Sequence, residues 1–83
     1  MGMDYETEIK ISPSPDVWGY FEVIVKYGDG HNRCFLGPED RVGDFIQSVR
    51  NTTRGVISLD LTELRKGTQF YLLEKILGLG NYF

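Results

Sequence analysis

The sequence predicts an α+β fold: a mainly antiparallel sheet of about five strands in the order β-β-β-α-β-β, with one amphipathic helix packed on one face. Three observations carry this. Apolar and polar side chains alternate over residues 5–11, 20–27 and 56–61, the period of a half-buried strand. Val42, Phe45, Ile46 and Val49 recur at i, i+3, i+4 and i+7, the period of a helix that buries one stripe. Glycine- and proline-rich breaks separate these runs.

In the first strand Tyr5, Thr7, Ile9 and Ile11 share one face, and Glu6, Glu8 and Lys10 share the other. Pro13 and Pro15 end it, because each lacks an amide proton and restricts the residue before it. The second strand places Phe21, Val23, Val25 and Tyr27 on an apolar face. It leaves Tyr20, Glu22, Ile24 and Lys26 on a mixed one. Gly28-Asp29-Gly30 turns the chain, since glycine takes positive φ without penalty, and residues 31–36 return as a hairpin.

Pro38 suits the first position of a helix, and Glu39 and Asp40 favour its positive end. Arg41, Asp44, Gln47 and Arg50 take the outer face, and residues 51–55 end the helix at Gly55. Ile57, Leu59 and Leu61 then line one face of a further strand. Arg65-Lys66-Gly67 reads as a hairpin turn, and residues 68–76 as the last strand, with Phe70, Leu72 and Ile76 on one side. The competing reading is a helix with Phe70, Leu73, Ile76 and Leu77 as its stripe and Gly78 as its stop. The Phe70-Tyr71 pair favours the strand. One helix covers one sheet face, so the opposite face is polar or is covered by something else.

Eighty-three residues make a single small globular domain, 1–83. Cys34 is the only cysteine, which excludes an intrachain disulfide and a cysteine-rich zinc site. The N-terminus has no basic region followed by an apolar one, and no apolar run approaches the roughly 18 residues of a membrane span. The expectation is a cytoplasmic protein without a membrane partner.

No cofactor, metal or catalytic constellation is expected, and the chain does not read as an enzyme. Asp29, His31, Asn32, Arg33 and Cys34 form the densest polar cluster. Cys34 and His31 are three apart on a strand and so face opposite sides, which spoils nucleophilic catalysis. The favoured reading is a solvated turn beside a small buried cysteine. His31 and Asp29 lack further ligands at metal-binding spacing. Glu39 and Asp40 stand where a phosphate would bind after Gly37-Pro38, and their charge opposes it.

The chain carries a net charge of -3, which argues against nucleic acid as a general partner. The charge is uneven: residues 1–44 hold nine acidic and four basic groups, and residues 45–83 hold three and five. The aromatic content exceeds what one helix stripe uses. Trp18 follows the proline loop, Tyr20 and Ile24 lie on the mixed strand face, and Tyr82-Phe83 ends the chain. Tryptophan and tyrosine serve as interface anchors, with Trp18 as a plug at one end of the core as the plainer alternative.

These features point to a small non-enzymatic protein-binding module. Trp18, Tyr20, Glu22 and Ile24 form its contact surface, and Glu6 and Glu8 steer a basic protein partner. Size and charge alone suggest an inhibitor of the immunity-protein or phage anti-defence type. The alternatives are a homodimer through the uncovered face or an edge strand, and a ligand- or nucleic-acid-binding domain using Arg50, Arg54, Arg65 and Lys66.

Overall fold

A computed structural model describes residues 6–53 and 55–77 of the chain. Its elements are β1 (Thr7–Pro13), β2 (Tyr20–Lys26), β3 (Asn32–Pro38), α1 (Glu39–Thr52), β4 (Ile57–Asp60) and α2 (Lys66–Leu77). The α+β class holds. Among the described residues the sheet has four strands in the order β3-β2-β1-β4, and there are two helices.

The first three strands form an antiparallel meander that contains the predicted hairpin of residues 20–36, with Ile9 opposite Val25, Ile11 opposite Val23, and Val23 opposite Phe35. The turn between β2 and β3 closes through Gly30, whose φ is 98° and whose amide donates to the Tyr27 carbonyl at 3.0 Å. Helix α1 begins after Pro38, with Glu39 and Asp40 in its first turn and Arg50 in its last. It buries Val42, Ile46 and Val49.

Two expectations are corrected. β4 pairs parallel to β1, with Thr7 opposite Ile57 and Ile9 opposite Leu59. A helix precedes β4, and a crossover of this length is what lets two strands run parallel. The sheet is therefore mixed.

Residues 68–76 are helical, so among the described residues there is neither a fifth strand nor a final hairpin. The inward positions are Leu61, Leu64, Thr68, Leu72 and Ile76, spaced three and then four apart. Phe70 and Tyr71, which favoured a strand, point outward at 65% and 40% exposure. The turn before α2 is held locally. Asp60 Oδ1 accepts from the Thr62 amide at 3.1 Å and from the Thr62 hydroxyl at 2.7 Å, and the Leu64 amide donates to the Leu61 carbonyl. Tyr5, Gly78, Tyr82 and Phe83 lie outside the described residues.

Both helices pack on the same face of the sheet. Ile9, Ile11, Val23 and Val25 from the strands meet Val42, Ile46, Val49, Leu72 and Ile76 from the helices in one core. The helices lock to each other at Gly43, where a Cβ would lie 2.6 Å from Lys75 Cδ. Gln47 Nε2 donates to the Lys75 carbonyl at 2.7 Å, and Arg50 Nη1 donates to the Ile76 carbonyl at 2.6 Å. These two donors serve carbonyls of the last turn of α2, which its own helix leaves unpaired.

Helix and strand assign Phe70 and Leu72 differently, which makes a direct test. Leu72→Ala is expected to cost about 2–5 kcal/mol, and Phe70→Ser to stay within about 0.5 kcal/mol, read from urea midpoints. Equal losses would restore the strand, in which the two share a face. Thr7 is wholly buried, and among the described residues its hydroxyl has no partner. Thr7→Val is expected to raise stability by about 1 kcal/mol in the same assay.

Candidate functional site

With both helices on one side, the other face of the sheet is open among the described residues. Strand alternation decides which side chains stand on it. One row across the strands reads Cys34, Ile24, Lys10 and Asp60, and a second reads Asn32, Lys26, Glu8 and Ser58. Leu36, Glu22 and Ser12 form a third, and Tyr20 stands opposite Pro38 beyond it.

The face thus divides along its width. The β2–β3 side is largely apolar: Tyr20 and Leu36 are 40% and 49% exposed, and Ile24, one row further along, is half-buried. A shallow depression runs between Glu22, Ile24, Cys34 and Leu36. The β1–β4 side is charged, and a second depression there lies among Glu8, Lys10, Lys26, Ser58 and Asp60.

Lys10 Nζ sits 2.9 Å from Glu63 Oε2. The hydrogen bond and the charge of Glu63 together push the Lys10 ammonium above its usual 10.5. The two hydrogen bonds from Thr62 hold the Asp60 carboxyl below its usual 3.8. Lys10 is thus engaged with Glu63 and Asp60 with Thr62, as on a solvated face.

Trp18 lies at one end of this face, in the loop between β1 and β2, and is 98% exposed. It does not plug the core. The loop that carries it is closed by its own hydrogen bonds. Ser14 Oγ accepts from the Asp16 and Val17 amides, at 3.3 and 3.1 Å. The Ser14 amide donates to the Tyr20 carbonyl at 2.9 Å, and the Tyr20 amide donates to the Val17 carbonyl at 3.2 Å. Gly19 takes φ 81°, the positive value this return requires. Behind Trp18 a cleft runs past Phe21, Glu39, Leu64, Arg65 and Thr68.

Tyr20, Glu22, Ile24 and Glu8 therefore share the open face with Trp18 at its rim. Glu6 is exposed but precedes β1, at the end of that strand away from the Trp18 loop. Two signals were missed in the sequence. Leu36 joins the apolar side of the face because it pairs with Glu22, and Cys34 is exposed there opposite Ile24 instead of being buried. Cys34 escapes burial because β3 is an edge strand and the helices cover the other side.

The remaining clusters come apart. His31 Nδ1 lies 2.8 Å from Asp29 Oδ2 within the turn, and the His31 amide donates to Asp29 Oδ1 at 3.0 Å. That backbone donor, with the imidazole second, holds the Asp29 carboxyl below its usual range. Among the described residues no three His, Cys, Asp or Glu side chains come together as metal ligands. Arg50 is spent on the end of α2 at Ile76. Lys66 starts that helix, ten residues and about 15 Å of rise away. Arg65 and Lys66 thus do not join Arg50, and Arg54 lies outside the described residues. Among the described residues no helix is long and apolar enough to cross a membrane.

Comparison with protein-family models, with curated proteins and with solved structures gave no match to this chain.

Since Trp18 is the chain's single tryptophan, its emission reports this loop alone. A red, water-like maximum that acrylamide quenches freely is expected, and Trp18→Ala is expected to shift stability by less than about 0.5 kcal/mol. A blue-shifted, protected emission would contradict the exposed placement. The depressed Asp60 carboxyl favours the folded state above the ordinary carboxylate range, and that contribution is lost as pH falls through its lower folded value. A carbon-detected NMR titration should find its midpoint below 3.8.

Proposed function

We propose that this chain is a small non-enzymatic protein-binding module that meets its partner through the open sheet face and Trp18. The observation that carries the reading is the tryptophan. A fully solvated indole is a poor use of a residue that gains so much by burial, and here a hydrogen-bonded loop holds it out. An anchor held in place loses little conformational entropy on binding. Tyr20, Ile24 and Leu36 continue the apolar surface from it along β2 and β3.

Glu22 stands inside that apolar area, and Glu8 and Glu6 lie toward the far end. Lys10 is paired with Glu63, and Lys26 stands across from Glu8. The charge left for a partner is therefore acidic, which suits a basic protein surface. Small size and net negative charge fit an inhibitor of the immunity-protein or anti-defence type, and that narrower reading rests on those two properties alone.

One detail favours a second reading, a homodimer through the same face. Tyr20, Glu22, Ile24 and Lys26 alternate apolar, acidic, apolar, basic along β2. A two-fold axis at Ile24 would set Glu22 of one copy against Lys26 of the other. Light scattering at micromolar concentration decides this: a strict monomer removes the dimer.

For the principal reading, the tagged protein is used to capture its partner from the source cells, beside a Trp18→Ala/Glu22→Lys double variant. The wild type is expected to retain a defined basic protein, and the variant to lose at least about tenfold of that affinity. Equal capture by the two would overturn the proposed surface.

A further inference from the structure

The free edge of β3 offers a second kind of contact, which uses backbone instead of the open face. The Tyr27 amide donates to the His31 carbonyl at 2.8 Å, which makes residues 27 and 31 a hydrogen-bonded pair. Bonded and non-bonded pairs alternate along an antiparallel ladder. The β2–β3 register pairs Val25 with Arg33, Val23 with Phe35 and Phe21 with Gly37. The backbone groups of Arg33, Phe35 and Gly37 thus turn inward to β2. Those of Asn32, Cys34 and Leu36 turn outward, and β3 ends the sheet, so among the described residues no strand meets them. A row of unpaired N–H and C=O groups is a template for one more strand.

The helix-side flank of this edge is basic. Arg33 is exposed and lies with its guanidinium carbon 5.0 Å from the centroid of the Phe45 ring. Phe45 is stacked on Phe35, with centroids 4.8 Å apart and planes 8° from parallel. Beyond the stack comes Gly37, and Arg41 Cβ lies 3.5 Å from where a Gly37 side chain would begin. Two arginines therefore bracket a stacked aromatic pair along the edge. Neither is in an ion pair among the described residues. The ring holds the Arg33 guanidinium in place before any ligand arrives. Of the nearby acids, Asp40 accepts the Arg41 amide and Glu39 lines the cleft behind Trp18.

We propose that the β3 edge takes up an extended acidic peptide segment by strand addition. Side chains of an added strand lie beside those of the residues they face. On the helix side, acidic residues meet Arg33 and Arg41, and an apolar one between them covers Phe35. On the open side, two apolar residues lie beside Cys34 and Leu36. The segment is thus acidic at both ends with three apolar residues between, and backbone bonds supply affinity while the side chains select it. A second copy of β3 does not meet this description. Antiparallel pairing about Phe35 sets Arg33 of one copy against Gly37 of the other, beside the second copy's Arg41, and like charges across a ladder repel. The two sites adjoin at Cys34 and Leu36, and Arg41 lines a depression with Tyr20 and Leu36; the outward backbone groups and Arg33 belong to the edge alone, so N-methylation of the peptide and Trp18→Ala let either proposal fail by itself.

The test uses the synthetic peptide Ser-Glu-Val-Ile-Val-Glu-Ser, titrated into the full chain and followed by calorimetry and amide chemical shifts. Saturable binding with shifts centred on β3 and the start of α1 is expected. Replacing both glutamates by lysine, or N-methylating both valines, is expected to weaken binding at least about tenfold. Arg33→Glu/Arg41→Glu is expected to reverse the preference toward the lysine peptide. Cys34→Pro removes an outward N–H without touching a bond to β2, a position where an edge strand tolerates proline, and should abolish binding in a variant whose circular dichroism matches the wild type. Should that variant fail to fold, the N-methylated peptide asks the same question of the wild type. No saturable binding, equal binding of the lysine or N-methylated peptide, or self-association lost on edge blocking would each overturn the proposal.

Discussion

The apolar layer between one face of the sheet and the two helices packed on it sets the position of every other feature. Ile9, Ile11, Val23 and Val25 supply its lower side, and Val42, Ile46, Val49, Leu72 and Ile76 its upper side. A chain this short has few apolar residues to spend, and a small domain buries a modest share of its surface. Its fully buried residues all lie in this one layer, and among the described residues no second layer covers the opposite face. The open face is therefore a consequence of where the core lies, and the side chains on it are those of the other strand parity.

The contact between α1 and α2 has a second consequence. Gly43 admits the Lys75 stem, while Gln47 and Arg50 pair the last carbonyls of α2. These polar side chains of α1, which sequence periodicity places on an outer solvated stripe, face a second helix. Arg50 is thereby committed to holding the fold together, at the end of α2 opposite to Lys66. A charge that caps a helix end is a poor candidate for gripping a ligand.

The two proposed contacts draw on different chemistry that the same sheet supplies. The open face offers exposed aromatic and aliphatic area with acidic residues beside it, anchored by Trp18. The β3 edge offers unpaired backbone groups flanked by Arg33 and Arg41. They adjoin at Leu36, whose side chain stands on the open face while its backbone faces the free edge. The two proposed surfaces, one acidic and one basic, thus lie side by side, although the uneven charge of the two chain halves does not map onto them: Arg33 and Arg41 both belong to the acidic half.

By itself the sequence determined the α+β class, the hairpin of residues 20–36, the extent of α1 and the mixed face of β2. Each rests on a local cause: strict alternation along residues 20–26, the i, i+3, i+4 stripe of Val42 to Val49, and a glycine where φ must be positive. Only the tertiary structure decided residues 68–76. Phe70 and Tyr71 raised the strand propensity of that segment because aromatic residues usually seek burial, yet here they stay at the surface while Leu72 and Ile76, one helical turn apart, take the core. The direction of β4 was equally illegible, since residues 57–60 alternate in the same way whether they pair parallel or antiparallel. The exposure of Trp18 and Cys34 and the free edge of β3 depend on which face two helices share and which strand lies last, and pairing between distant segments, not local pattern, sets both.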